Sequence, residues 1–202
     1  MRPAERILAR SVAVAVLALA PAGAAAQVSI GIGAQLLSLG GNDFRSADAG
    51  FGGEASVLFP VGKSFKMGGT VQYSSHDDAF LDNNIGVLGL FYAGRFVFRQ
   101  AKGSVTPYIV GRGGWVRASS KVDVDFDGTD DDVSQTGFAF GGGGGVMIPV
   151  SPTVAIDLGA VFHAVSLGDG KTDGTTVPNT DASGTALQVR AGVSFKIGGA
   201  SR

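Results

Sequence analysis

Strict alternation of apolar and polar residues is the feature that most constrains this chain. In the stretch 187–197 every second residue is apolar: Leu187, Val189, Ala191, Val193, Phe195 and Ile197. The residues between them are polar or glycine. Residues two apart share one face of a β-strand, whereas a helix would spread these side chains around its circumference. The pattern therefore predicts a strand with one apolar face and one polar or small face.

Six further stretches show the same alternation, and with the apolar stretch 85–98 they give eight predicted strands: 28–36, 51–59, 65–74, 85–98, 107–117, 138–148, 154–165 and 187–197. Each is close to the length of about 9–11 residues that a tilted membrane-spanning strand needs. The stretch 85–98 is apolar on both faces except at Arg95, so alternation alone does not set which face points inward.

The connections between these strands alternate in length. Three are short (60–64, 99–106 and 149–153), and four are longer and polar (39–49, 75–84, 118–136 and 167–184). Short turns on one side and long loops on the other are typical of outer membrane barrels, and a closed sheet leaves no strand edge unpaired in hydrocarbon. The sequence therefore predicts an all-β fold, an eight-stranded antiparallel up-and-down transmembrane β-barrel.

Residues 1–26 have the organisation of a secretory signal peptide. Three arginines lie within the first ten residues, an uninterrupted small or apolar run follows over 11–20, and three alanines end the segment at Ala26. The apolar run is shorter than the roughly 20 residues that a membrane-spanning helix requires. We therefore expect cleavage after Ala26 and one barrel domain over 27–202.

Composition narrows the function classes. The chain contains no cysteine and only two histidines, which excludes disulfides and cysteine nucleophiles and argues against a multi-histidine metal centre. A formal net charge of −1 provides no basic surface for nucleic acid. We expect no cofactor and no nucleic-acid partner.

Three stretches resemble a known family of small outer membrane proteins. Residues 107–115 read Pro-Tyr-Ile-Val-Gly-Arg-Gly-Gly-Trp, a Pro-Tyr start followed by alternating glycine. The hairpin 138–162 and the closing strand 187–197 are also similar to those of the family. The chain thus resembles the eight-stranded barrels related to outer membrane protein A.

This resemblance implies a location in the bacterial outer membrane and a monomeric barrel in contact with its lipids. It also implies delivery by periplasmic chaperones and insertion by the barrel-assembly machinery. The role it implies is structural or interactive: membrane integrity, or adhesion or shielding through exposed loops that contact an external ligand.

Seven charged residues fall on the predicted inward face: Glu54, Lys66, Arg95, Arg112, Asp157, Arg190 and Lys196. Eight strands leave a lumen that side chains fill, and buried charges must be paired. Because Glu54 and Asp157 are the only acids in this set, we predict that both form ion pairs with arginines and plug the lumen. A small gated ion conductance is the alternative.

An acidic segment in the third long loop has the spacing of a calcium-binding loop. Asp123, Asp125, Asp127 and Asp131 occupy ligand positions 1, 3, 5 and 9, and a glycine occupies position 6. Position 12 is Ser134, where such loops carry a bidentate glutamate. The alternative is an acidic, solvated hairpin that turns at Asp127 and the glycine after it.

Candidate catalytic motifs are weak. Residues 168–172 end in Gly-Lys-Thr like a phosphate-binding loop, but the first glycine of that motif is replaced by Val165 and no helix pattern follows. His163 and Asp157 could belong to a hydrolase triad with a serine. Their positions in the alternation of the strand predict that both side chains face the lumen, away from lipid. We expect His76 to be solvated in a loop.

We therefore expect no enzymatic activity. A lipid-active, deacylase-like enzyme in the same fold is the alternative, and it would need catalytic residues on the lipid face. A soluble secreted β-protein is a third alternative, which would not require detergent.

Overall fold

A computed structural model describes residues 27–44, 47–78, 83–98, 105–122 and 131–198. The predicted signal peptide lies outside these ranges. The strands are β1 (Val28–Gly40), β2 (Gly50–Pro60), β3 (Phe65–Asp78), β4 (Asn83–Val97), β5 (Thr106–Val122), β6 (Asp131–Pro149), β7 (Val154–Leu167), β8 (Gly170–Thr172), β9 (Thr175–Val177) and β10 (Ala182–Ile197). A short 3₁₀ helix, η1 (Asn42–Phe44), follows β1. Within the described ranges, no helix is long and apolar enough to cross a membrane.

Eight of these strands, β1–β7 and β10, form a closed antiparallel barrel. Strands adjacent in sequence are hydrogen-bonded neighbours throughout, and the pairing of β1 with β10 closes the sheet. That closing pair runs in continuous register from Val28 opposite Ile197 to Gly40 opposite Thr185. The predicted eight-stranded up-and-down barrel is confirmed.

The two faces of the wall follow the predicted parity. In β10, Leu187 and Val189 are exposed on the outside while Gln188 is completely buried in the lumen. In β4, where alternation was uninformative, Phe91 and Arg95 point inward and are buried. Contact with lipid requires an outer surface of apolar side chains, and the outward residues provide one.

Strands on the long-loop side extend further than predicted. β5 continues to Val122 and β6 begins at Asp131, so much of the predicted loop 118–136 is a two-stranded extension. Lys121 lies opposite Asp132 there. The pairing agrees with the hairpin alternative for this loop, whose turn at Asp127 lies outside the described ranges, although the side chains no longer alternate strictly between apolar and polar.

The fourth long loop contains a hairpin that was not predicted. β8 pairs with β6 beyond the end of β7, and β9 pairs back onto β8. The turn between them contains Asp173 and Gly174, with φ of 48° and 82°, the left-handed region that tight hairpin turns use. The Gly-Lys-Thr sequence at 170–172 is therefore strand β8, with a turn rather than a helix after it.

Candidate functional site

Ion-paired side chains fill the middle of the lumen. Glu54 on β2 accepts a hydrogen bond from Arg112 Nη1 at Oε2 over 2.8 Å and one from Arg190 Nη1 at Oε1 over 2.5 Å. Gln188 Nε2 donates to the same Oε2 over 3.0 Å. Both carboxylate oxygens are thus bound, and the side chain is buried.

The second buried carboxylate, Asp157 on β7, has an equally complete set of partners. Arg95 Nη1 donates to its Oδ2 over 2.9 Å, and the Tyr108 hydroxyl donates to its Oδ1 over 2.6 Å. Arg190 Nη2 lies 3.2 Å from each of the two oxygens. The Arg95 guanidinium also lies 4.2 Å from the centroid of the Tyr108 ring, a cation–π contact.

These five charged residues, from five different strands, form what we call the lumen network: Glu54, Arg95, Arg112, Asp157 and Arg190. Arg190 contacts both acids and so joins the two halves. Three arginines face two carboxylates, which leaves one formal positive charge across the lumen.

The two predicted lysines form no ion pair with the lumen network among the described residues, although Lys66 lies opposite Arg95 in the pairing of β3 with β4. Lys66 Nζ donates to Ser29 Oγ over 2.7 Å, and in the described part of the chain neither Lys66 nor Lys196 takes part in a salt bridge. Both lie towards the short-turn end of their strands. Because arginines already occupy the two acids, these lysines have no buried anion to pair with.

Sequence reasoning missed the glutamines that support the network. Gln188 accepts a hydrogen bond from Arg112 and donates one to Gln35, and Gln72 Oε1 lies 3.4 Å from Arg112 Nη1. All three glutamines occupy inward positions in the alternation of their strands, and this pattern could have identified them as lumen residues. An amide is uncharged, so a pattern of charged residues does not indicate it.

Glycines in β6 and β7 make room for the large side chains of the network. A Cβ at Gly145 or Gly159 would collide with the Tyr108 hydroxyl. The glycine run 141–145 lies inside β6, as predicted. Because Gly145 has no side chain, the Tyr108 hydroxyl has room to reach Asp157. Two voids beside the network measure about 10 Å³ each, the space of a single water at most, and a wide open depression of about 680 Å³ on the outer wall also reaches Glu54 and Gln72.

A second space, the loop-side cavity, lies between the lumen network and the long loops. It measures about 200 Å³. Its wall is mostly apolar and includes the buried side chains of Leu37, Phe91, Val116, Ala139 and Leu167. Gln72 and His163 also line it, as does Phe44 of η1, which packs against the buried apolar cluster, and the cavity is partly open. The predicted polar plug thus fills only part of the lumen.

His76 was predicted to be solvated in a loop, and that prediction is wrong. The residue lies in β3 with 1% of its surface exposed. Its Nδ1 lies 2.9 Å from the Asp48 carbonyl oxygen and its Nε2 lies 3.0 Å from Ser74 Oγ. Since a carbonyl only accepts, Nδ1 donates to it and ties the first long loop to β3. The inward parity of Gln72 and Ser74 simply continues to His76.

The other candidate sites are not assembled by the described residues. Asp157 binds Arg95, Arg190 and Tyr108, and neither ring nitrogen of His163 has a hydrogen-bond partner there, so the two do not form a catalytic pair. Asp123, Asp125 and Asp127 lie outside the described ranges, while Asp131 begins β6. Among the described residues, no group of three or more His, Asp or Glu is placed to hold a metal ion.

Comparison with known proteins identifies relatives across most of the chain. A family model described as outer membrane protein beta-barrel domain matches residues 11–195. No curated protein sequence matches the chain.

Among solved structures, the Neisserial surface protein A is 20% identical, covers 84% of this chain and 97% of its own, and has a TM-score of 0.61. The attachment invasion locus protein of Yersinia pestis, solved with the heparin analogue sucrose octasulfate, is 14% identical, with 86% and 100% covered and a TM-score of 0.57. The outer membrane protein OprG of Pseudomonas aeruginosa is 12% identical, with 86% and 96% covered and a TM-score of 0.56. At these identities the likeness establishes a shared fold.

Proposed function

Because the chain belongs to the family of outer membrane protein beta-barrel domains, we propose that it is a structural barrel, closed to ions, that displays its long loops at the cell surface. It lies in the bacterial outer membrane as its family does. The proposed role combines membrane integrity with adhesion or shielding by the loops. Periplasmic chaperones and the barrel-assembly machinery are the proposed partners of its biogenesis.

The observation that carries this proposal is the lumen network. Its five side chains extend from β2, β4, β5, β7 and β10 and meet in the centre of the barrel, and two small voids among them measure about 10 Å³ each. An ion crossing the lumen would have to separate buried ion pairs and leave a charge uncompensated, which is costly in a low-dielectric interior. The geometry therefore favours a plug over a pore.

Conductance of the folded protein in planar lipid bilayers tests this function. We expect no current steps above those of a protein-free bilayer. Arg190→Ala removes the side chain that joins both acids, so we expect this variant to conduct measurably. Lys66→Ala is the matched control, because Lys66 has the same inward facing but lies outside the lumen network, and it should stay silent.

A steady unitary current from the unmodified protein would contradict the closed barrel and favour the small gated pore. Equal silence of Arg190→Ala would show that the lumen network is not what closes the lumen. A deacylase-like enzyme has less support, because Asp157 is bound by arginines and a tyrosine and His163 points into the lumen.

The long loops carry a charge that favours one class of surface partner. The four predicted loops contain fourteen aspartates, and their only basic residues are Arg45, Lys121 and Lys171. Glu54 and Asp157 are the only other acids of 27–202. Such a surface repels sulfated polysaccharides and attracts cationic groups. We therefore propose that a loop partner of this protein is cationic.

A further inference from the structure

The loop-side cavity has the properties of a binding site for a small apolar molecule. Its lining is contributed by every barrel strand except β2, and most of the lining side chains are apolar. An apolar cavity of about 150 Å³ in another protein stays dry and binds benzene. At about 200 Å³, the present cavity is large enough for one aromatic ring with small substituents.

One polar side chain in this wall is unsatisfied. His163 is 2% exposed and lines the cavity, and neither of its ring nitrogens has a hydrogen-bond partner among the described residues. Buried polar groups are nearly always hydrogen-bonded, so an unpaired imidazole calls for an explanation. The second histidine, His76, has partners at both nitrogens.

Packing holds the His163 ring at the cavity wall. Its centroid lies 5.3 Å from that of Phe91, with the planes inclined by 50°. A Cβ at Gly141 would come within 2.7 Å of His163 Nδ1, so the glycine provides the space for the ring. The imidazole is therefore held beside an aromatic face, close to Gln188 but without a hydrogen bond of normal geometry.

We infer that the loop-side cavity binds a small neutral molecule that consists of one aromatic ring and one hydroxyl group, a simple phenol. The ring fills the apolar space beside Phe91, and the hydroxyl hydrogen-bonds a ring nitrogen of His163. A neutral imidazole offers one donor and one acceptor, and a hydroxyl can serve either. A carboxylate is disfavoured because it would lose its hydration against a mostly apolar wall, while each arginine of the lumen network already binds Glu54 or Asp157. This site is separate from the proposed closure to ions, because the ligand does not enter the lumen network.

Nitrogen-15 NMR of the histidine rings tests this inference in the folded protein in lipid nanodiscs. The chain contains only two histidines, so ¹⁵N-histidine labelling reports on His163 and uses His76 as an internal control. On titration with p-cresol, the ring signals of His163 should shift in a saturable way, and those of His76 should not. Toluene, which lacks the hydroxyl, should bind about fivefold more weakly at equal free concentration, the ratio that one net hydrogen bond supplies.

Three variants separate binding in the cavity from partitioning into lipid and test the hydrogen bond to His163. Ala139→Phe fills the cavity, so the p-cresol response of His163 should disappear; Val116→Phe serves the same purpose if the first variant does not fold. His163→Phe keeps the ring beside Phe91 but removes the hydrogen bond, so p-cresol and toluene should bind this variant equally, as judged by saturation-transfer NMR. Gel mobility before and after boiling confirms that each variant is folded.

Three outcomes would overturn the inference. The first is no shift of His163 up to the solubility limit of p-cresol, which would mean that the cavity holds only water. The second is an equal shift of both histidines. The third is a response of His163 that persists in the folded Ala139→Phe or Val116→Phe variant.

Discussion

At the scale of single residues, Glu54 matters most because it neutralises two arginines at once. Its two oxygens bind Arg112 and Arg190, and its removal would leave three buried arginines facing Asp157 alone. Breaking a buried pair costs more than the pair contributes, since the remaining charge stays buried without compensation. Lys66 offers a contrast: it has the same inward facing, but its described hydrogen bond is to Ser29 and it is outside the lumen network.

We expect Glu54→Ala to lower the free energy of unfolding by about 3–5 kcal/mol. Lys66→Ala should lower it by about 1 kcal/mol, the value of one hydrogen bond. Denaturant titration of both variants in the same lipid vesicles measures the two changes. If the two substitutions prove equally mild, Glu54 is not the centre of a buried network.

At the scale of elements, β3 shows where a strand leaves the membrane. Its outward side chains are apolar up to Tyr73 and then become Ser75 and Asp77, while the backbone remains paired with β4 to the end of the strand. The change of polarity on one face of one continuous strand therefore indicates the boundary between hydrocarbon and water.

Arginine substitutions on this single face test that boundary. Val71 is outward and 37% exposed, and an arginine there would lie in hydrocarbon. We expect Val71→Arg to reduce the folding free energy in vesicles by about 2–4 kcal/mol. Asp77→Arg, on the same face but beyond the boundary, should change it by less than about 0.5 kcal/mol. A large cost at position 77 would show that β3 is still in hydrocarbon there.

Sequence alone was sufficient for the membrane part of every barrel strand except β4, because lipid on one side and a narrow lumen on the other impose alternation; in β4 both faces are apolar and only Arg95 indicated the inward side. It failed above the membrane at the end of β3 with His76 and at the β8–β9 hairpin, and for the β5–β6 extension it left a hairpin and a calcium loop both open. There the hydropathy pattern is lost although the pairing continues.

For the candidate site, parity identified which charges face inward but could not say which of them meet. Which charged side chains meet depends on how strands that are distant in sequence are shifted relative to one another along the barrel axis. Glu54 on β2 and Arg190 on β10 are an example. The apolar loop-side cavity was also missed. An apolar residue on the inside, such as Leu37 or Phe91, looks in the sequence like one that faces lipid.

At the scale of the whole molecule, every conclusion depends on closure of the sheet. The lumen network and the loop-side cavity exist only if β1 pairs with β10, since these are the first and last strands of the barrel. In an open sheet the network residues would face water, and neither site would form. Closure is therefore the central claim.

A disulfide across the closing pair measures closure directly. Leu36 and Val189 are direct partners on the outer face of β1 and β10, and the chain has no cysteine of its own. Opposed residues of antiparallel strands lie about 4.5–5.5 Å apart at Cα, within disulfide range. Oxidation of Leu36→Cys/Val189→Cys in outer membranes should give a circularised chain with altered mobility after boiling. The offset pair Leu36→Cys/Phe195→Cys, roughly 20 Å apart along the strands, should not. Failure of the matched pair to cross-link, or equal cross-linking of both pairs, would contradict the closed barrel.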